Sequence, residues 1–100
     1  MARSRPMAVG LLQVGTNASE ASRRQRRVAL AVHADQEGYA LVETFEIDGR
    51  PVRDDSVLQA LEGLASSLDV DALLTSGVID RVRVEHLADR VRLLVREVAL

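Results

Sequence analysis

The first pattern along the chain is a short apolar run, Ala8-Val-Gly-Leu-Leu-Gln-Val14, set between Pro6 and Gly15-Thr-Asn17. A run of that length between turn signals predicts a strand buried on both faces. Residues 1–6 are polar, end in proline and predict a frayed tail ahead of a single domain over 7–100. Residues 18–36 predict a helix. Asn17 or Ser19 caps it, Glu20 favours its first turn, and Gly38 stands where a left-handed helix end takes glycine. On that helix Ala21, Gln25, Val28, Ala31 and Val32 share one face, and Arg23, Arg24, Arg26 and Arg27 spread over the rest. From Tyr39 to Ile47, Leu41, Phe45 and Ile47 alternate with Val42, Thr44 and Glu46, the pattern of a half-exposed edge strand.

Asp48-Gly-Arg-Pro51 has turn composition. Ser56-Val-Leu-Gln59 has the form of a capping box, and Val57, Leu58, Leu61, Leu64, Ala65 and Leu68 follow at helical spacing. A third strand is expected at about 72–76, with a bend at Gly77. Val84, Leu87, Val91, Leu94, Val95 and Val98 form a final helical stripe. Strand and helix thus alternate three times. That order predicts a small three-layer, sandwich-like α/β domain with a mainly parallel three-stranded sheet and crossover helices.

Composition narrows the function classes. One hundred residues make one domain, and 47% hydrophobic against 28% charged residues excludes global disorder. Tyr39 and Phe45 are the whole aromatic content, too few for a base-stacking platform. With no cysteine, disulfides, thiol nucleophiles and thiolate-held metals are excluded. The longest apolar run falls far short of the ~20 residues that span a bilayer, and the apolar run behind the N-terminus is too interrupted for a signal peptide. The chain is therefore expected to be cytoplasmic, with no membrane partner. All thirteen basic residues are arginine. Net charge is −2, but it is segregated: residues 1–27 sum to +5, 28–80 to −9 and 81–100 to +2.

Ligands of open parallel sheets sit at the carboxyl ends of the strands. Those ends are Gln13–Asn17, Ile47–Pro51 and Ser76–Arg81. The first leads into a helix N-terminus, where N–H groups meet an anion or where a plain turn connects strand to helix. It is neither a Walker loop nor a G-x-G-x-x-G loop. Arg23–Arg27 is the densest basic cluster, readable as a phosphate patch or as a solvated helix surface. His33 and His86 have no metal-ligand spacing, so no metal and no cofactor are expected. Thr75 and Ser76 are the best-placed hydroxyls, without an obvious base.

In their order, these segments resemble the N-terminal catalytic domain of serine recombinases, the resolvase/invertase family. The matching stretches are Leu12-Gln-Val-Gly-Thr16, Gln25, Gly38-Tyr-Ala-Leu-Val-Glu-Thr-Phe-Glu46, Leu58-Gln-Ala-Leu61, Asp71-Ala-Leu-Leu74 and Asp80-Arg-Val-Arg83, over about residues 7–97. The gaps from Gln25 to Gly38 and from Asp71 to Asp80 are slightly longer than the family's. The resemblance implies a resolvase-like fold and a site facing a DNA phosphate. It also exposes departures. The family's nucleophilic serine is matched by Gly15, followed by Thr16. The arginine two residues before it is matched by Gln13, and the last arginine of the D-R-L-x-R motif by Val84, with Arg83 one residue early. Asp80 and Arg81 are retained. The arginine before the family's middle helix falls on Asp55, with Arg53 close by.

Phosphoryl transfer depends on a nucleophile and positioned positive charge. The expectation is a degenerate resolvase-like domain without strand exchange, acting as a DNA-associated or protein-interaction module. Its phosphate-facing residues would be Arg23, Arg24, Arg81 and Arg83, and its partners weakly bound DNA, a second copy or a related protein. The alternatives are an active or accessory recombinase component, with Thr16 or Ser76 as the hydroxyl, and a small dimerising regulator unrelated to DNA.

Overall fold

The computed structural model of the chain describes residues 5–15, 17–48, 56–78 and 80–100. The expected tail over residues 1–4, Thr16, the turn at 49–51, and Arg53 and Asp55 lie outside the described residues. Residues 5 and 6 are already tied down: Arg5 pairs with Asp35, and the Pro6 carbonyl accepts the Ala40 N–H at 2.9 Å.

The elements run β1 (Met7–Val14), α1 (Glu20–Gln36), β2 (Ala40–Asp48), α2 (Ser56–Ser67), β3 (Val70–Ser76), α3 (Arg81–Val91) and β4 (Leu94–Glu97). All strand pairs are parallel, in the order β2-β1-β3-β4. The sheet is doubly wound. The chain leaves β1 toward β2 on one side, then crosses to β3 on the other and continues outward to β4.

The apolar run of β1 is central, as its composition requires: Ala8, Val9, Leu11 and Leu12 are fully buried. Alternate side chains feed two cores. Ala8, Leu12 and Val14 pack with Leu30 and Ala34 of α1. Val9 and Leu11 pack with Leu61 and Ala65 of α2 and Val84, Leu87 and Ala88 of α3. The three layers are therefore α1, the sheet, and α2 with α3. Both strands beside β1 carry an extra residue near its start, Val42 in β2 and Asp71 in β3. The Asp71 carboxylate accepts the Met7 N–H at 3.0 Å, which satisfies a donor the bulge would strand.

Gly10 sets the height of α1. A Cβ at Gly10 would lie 2.5 Å from Leu30 Cδ2 and 3.1 Å from Thr44 Oγ1, so the glycine lets the buried Leu30 settle onto β1 where it lies. The expected ends of α1 are present: the Ser19 side chain accepts the Ser22 N–H, and Gly38 (φ +84°) closes a turn in which Tyr39 N–H donates to the Ala34 carbonyl at 2.9 Å.

Two expectations change. The sheet has four strands, because the final stripe is broken. Helix α3 stops at Val91, Arg92 takes a left-handed conformation (φ 57°, ψ 46°), and Leu93 N–H returns to the Ala88 carbonyl at 2.8 Å. Leu94–Glu97 then pairs with β3, and Val98 N–H donates to the Thr75 carbonyl at 2.7 Å. Without β4, the buried β3 would carry an unpaired edge, and covering it outweighs a non-glycine left-handed residue costing about 1 kcal/mol. The second change is the face of α1. Leu30 and Ala34 face the sheet, whereas Val28 and Val32 are 56% and 51% exposed.

Gly10→Val is expected to destabilise the fold by about 3 kcal/mol, because the added side chain overlaps the fully buried Leu30. Urea unfolding followed by circular dichroism measures it, and a loss below about 1 kcal/mol would mean that α1 lifts freely off β1.

Candidate functional site

The strand order reverses between β1 and β3, so the crevice of this doubly wound sheet opens at their carboxyl ends. Leu12 is paired with Ser76 there, and beyond them lie Gln13–Gly15 and Gly77. Gly77 turns the chain with φ +69°, a conformation that suits glycine, and its would-be Cβ lies 3.7 Å from Gln13 Cβ.

Arg26 of α1 closes the crevice from above. Its Nη1 donates to the Gln13 carbonyl, and its Nη2 donates to Ser76 Oγ at 3.5 Å. Arg26 precedes Leu30 and Ala34 by four and eight residues, so it continues the sheet-facing side of α1. That spacing is the signal that distinguishes it from the other arginines of the cluster. One turn earlier, Arg23 is half-buried, and its Nε is enclosed without a hydrogen-bond partner.

The other expected residues are placed as follows. Gln13 is half-buried, and its Nε2 donates to the Ile47 carbonyl at 3.5 Å. Gly15 is exposed, with open space where a side chain would be. Asp80 caps α3 by accepting the Arg83 N–H at 3.3 Å. Arg81 is ion-paired with Glu97 at the end of β4, and Arg83 Nε lies 3.9 Å from Asp80. Val84 is 4% exposed and belongs to the core between sheet and helices. Arg24 and Gln25 are exposed on α1. The structure thus gathers Gln13, Arg26, Ser76 and Gly77, and holds Arg81 apart on the β4 side.

Thr75 and Ser76 are each 5% exposed. The Thr75 hydroxyl donates to the Arg96 carbonyl at 3.5 Å, and the Ser76 hydroxyl accepts from Arg26. His33 borders a crevice with Glu37, Tyr39, Leu74 and Arg96, and His86 borders another with Glu62, Arg83 and Arg90. Among the described residues no group of three His, Cys, Asp or Glu is arranged to hold a metal, and no helix is long and apolar enough to cross a membrane. A cavity of about 210 Å³ between α3 and the ends of β3 and β4 is lined by Thr75, Val78, Val84 and Val95, with Arg81 and Glu97 at its polar side.

Two arginines elsewhere link neighbouring elements through carboxylates. Arg27 binds Glu20 at 3.1 Å and Glu46 at 3.0 Å, linking α1 to β2. Arg90 donates through two nitrogens to both Glu62 oxygens at 3.2 Å, linking α3 to α2. The hydrogen bond to Glu20 raises the Arg27 pKa above the usual guanidinium value, and the bond to Glu62 does the same for Arg90. Both stay cationic at any working pH.

In class, then, this is a doubly wound parallel α/β domain with an arginine-closed crevice at its switch point. The chain matches no protein-family model, no curated protein and no solved structure.

Arg26→Met keeps the packing of the side-chain stem and removes the donors over Gln13 and Ser76. Leaving those acceptors without the guanidinium is expected to lower stability by about 1–3 kcal/mol in a thermal melt. No change would mean that Arg26 is not part of the crevice wall.

Proposed function

We propose that this chain is a resolvase-like domain without strand-cleaving chemistry, acting by contact as a DNA-associated module with few phosphate contacts. The observation that carries this reading is the state of the positions that resemble the family's motif. Gly15, at the position resembling the family's serine, offers no nucleophile, and Arg81 beside the retained Asp80 is engaged by Glu97. Val84 stands in the core where the family's motif has an arginine. A phosphate held there would meet neither an attacking group nor the converging charge that phosphoryl transfer needs. The parallel order β2-β1-β3-β4 supports the reading, because it puts Gly15 and Asp80-Arg81, which follow β1 and β3, at the carboxyl end of the sheet.

The cations left for DNA are few. Among the described residues, Arg23, Arg24, Arg26 and Arg92 have no carboxylate partner, but Arg26 is turned onto Gln13 and Ser76 and Arg92 precedes β4 at the opposite end of the sheet, which leaves Arg23 and Arg24; Arg81 and Arg83 each have a carboxylate. Ser76 is a poor substitute nucleophile, being buried and hydrogen-bonded by a guanidinium.

Fluorescence anisotropy on a labelled duplex at about 50 and 200 mM salt measures the number of phosphates engaged. Two contacts give a slope of about −1.8 in log affinity against log salt, or about a tenfold loss over that range. A slope steeper than about −5 would mean that the paired arginines also reach DNA, and no binding at low salt would remove DNA as the partner.

Gly15→Ser has room for its side chain. The variant is expected to fold and to form no covalent adduct with DNA on a denaturing gel. An adduct would show that the crevice retains its chemistry and would overturn the non-catalytic reading.

A further inference from the structure

We infer that the outward face of α1 is a self-pairing surface, which joins two copies of this chain as an antiparallel helix pair. Val28 and Val32 stand one turn apart and are each more than half exposed, on the side of α1 opposite Leu30 and Ala34. They belong to the stripe Ala21, Gln25, Val28, Val32, Asp35, whose steps of four, three, four and three residues are the spacing of a helix–helix seam. The sheet does not use this stripe, since α1 packs through its other side.

The charges along the edges of the stripe, Asp35 at its end included, identify the occupant. At about 100° per residue, Arg24 and Asp35 fall on one flank, and Gln25 and Gln36 on the other. Arg24 lies six residues before Leu30 and Asp35 five after it. At 1.5 Å per residue these are about 9 Å and about 7.5 Å from the midpoint. A twofold axis at that midpoint turns a second copy antiparallel. It then sets Arg24 of one copy level with Asp35 of the other to within about 1.5 Å, on the same side of the seam. Val28 meets Val32 of the second copy, and Gln25 meets Gln36. A parallel pairing would oppose Arg24 to Arg24 and align the helix dipoles unfavourably.

Arg24 has no carboxylate partner among the described residues, and Asp35 is held only by the exposed Arg5, a pair that exchanges at little cost. A helix of 17 residues spans about 25 Å, so the seam sits at the small end of specific interfaces and gives a reversible dimer. The inference shares Arg24 with the DNA reading but rests on Val28 and Val32, which face away from the crevice, so the valine substitutions test it without touching a DNA-facing arginine.

Sedimentation equilibrium of the whole chain from about 10 to about 500 µM, spanning the range of weak interfaces, tests it. The expected result is a monomer–dimer equilibrium. Val28→Glu with Val32→Glu is expected to give a monomer with unchanged circular dichroism and melting temperature, because both sites are exposed. Arg24→Glu or Asp35→Arg alone is expected to weaken the dimer about tenfold, and the two together to restore it. A monomer at the highest concentration overturns the inference. So does a dimer indifferent to the valine substitutions, or a double charge reversal no better than the single ones.

Discussion

The seat of Leu30 on Gly10 is the contact on which the rest of the molecule depends. It fixes the height of α1 over β1, because a Cβ at position 10 would overlap the leucine where it now lies. From that seat the remaining placements of α1 follow. Ala34 falls on the same core one turn later, and Arg26, one turn earlier, reaches over the ends of β1 and β3. Arg27 turns toward β2 and Glu46. Val28 and Val32 are left facing outward. One missing side chain thus sets the core, the wall of the crevice and the exposed stripe together.

The segregated charge has a structural use. Residues 28–80 carry the acidic excess, and arginines from the flanking segments meet it: Arg5 with Asp35, Arg27 with Glu46, Arg90 with Glu62, and Arg96 with Glu37 at 3.8 Å. Exposed pairs of this kind each contribute at most about 1 kcal/mol. Their larger effect is on the outside field. A cluster that looks like a phosphate patch along the chain is partly neutralised once the chain is folded. The same pairing limits the number of arginines left without a carboxylate.

Much of the fold is legible along the chain, for physical reasons that differ by element. β1 is readable because a strand buried on both faces must be apolar throughout. The end of α1 is readable because a left-handed residue selects glycine, as at Gly38. β4 is not readable in the same way. Val84, Leu87, Val91, Leu94, Val95 and Val98 fit a helix, and the break falls at Arg92, a residue that carries no local signal for a left-handed turn. The candidate site divides similarly. The ends of β1 and β3 are expected from strand order, but Arg26 stands out among its neighbours only once Leu30 is known to face the sheet.

By itself, the sequence determined the alternation of strand and helix, the parallel α/β class and the absence of a side chain at Gly15, because each rests on local periodicity or on residue identity. Tertiary structure alone decided the fourth strand, the face that α1 buries and which arginines remain without a carboxylate. Those outcomes depend on partners distant in sequence: the open edge of β3, the gap above Gly10 and the acids of the middle segment. A periodic stripe shows that a helix has an apolar side, but only the surface it lands on decides whether that side turns in or out.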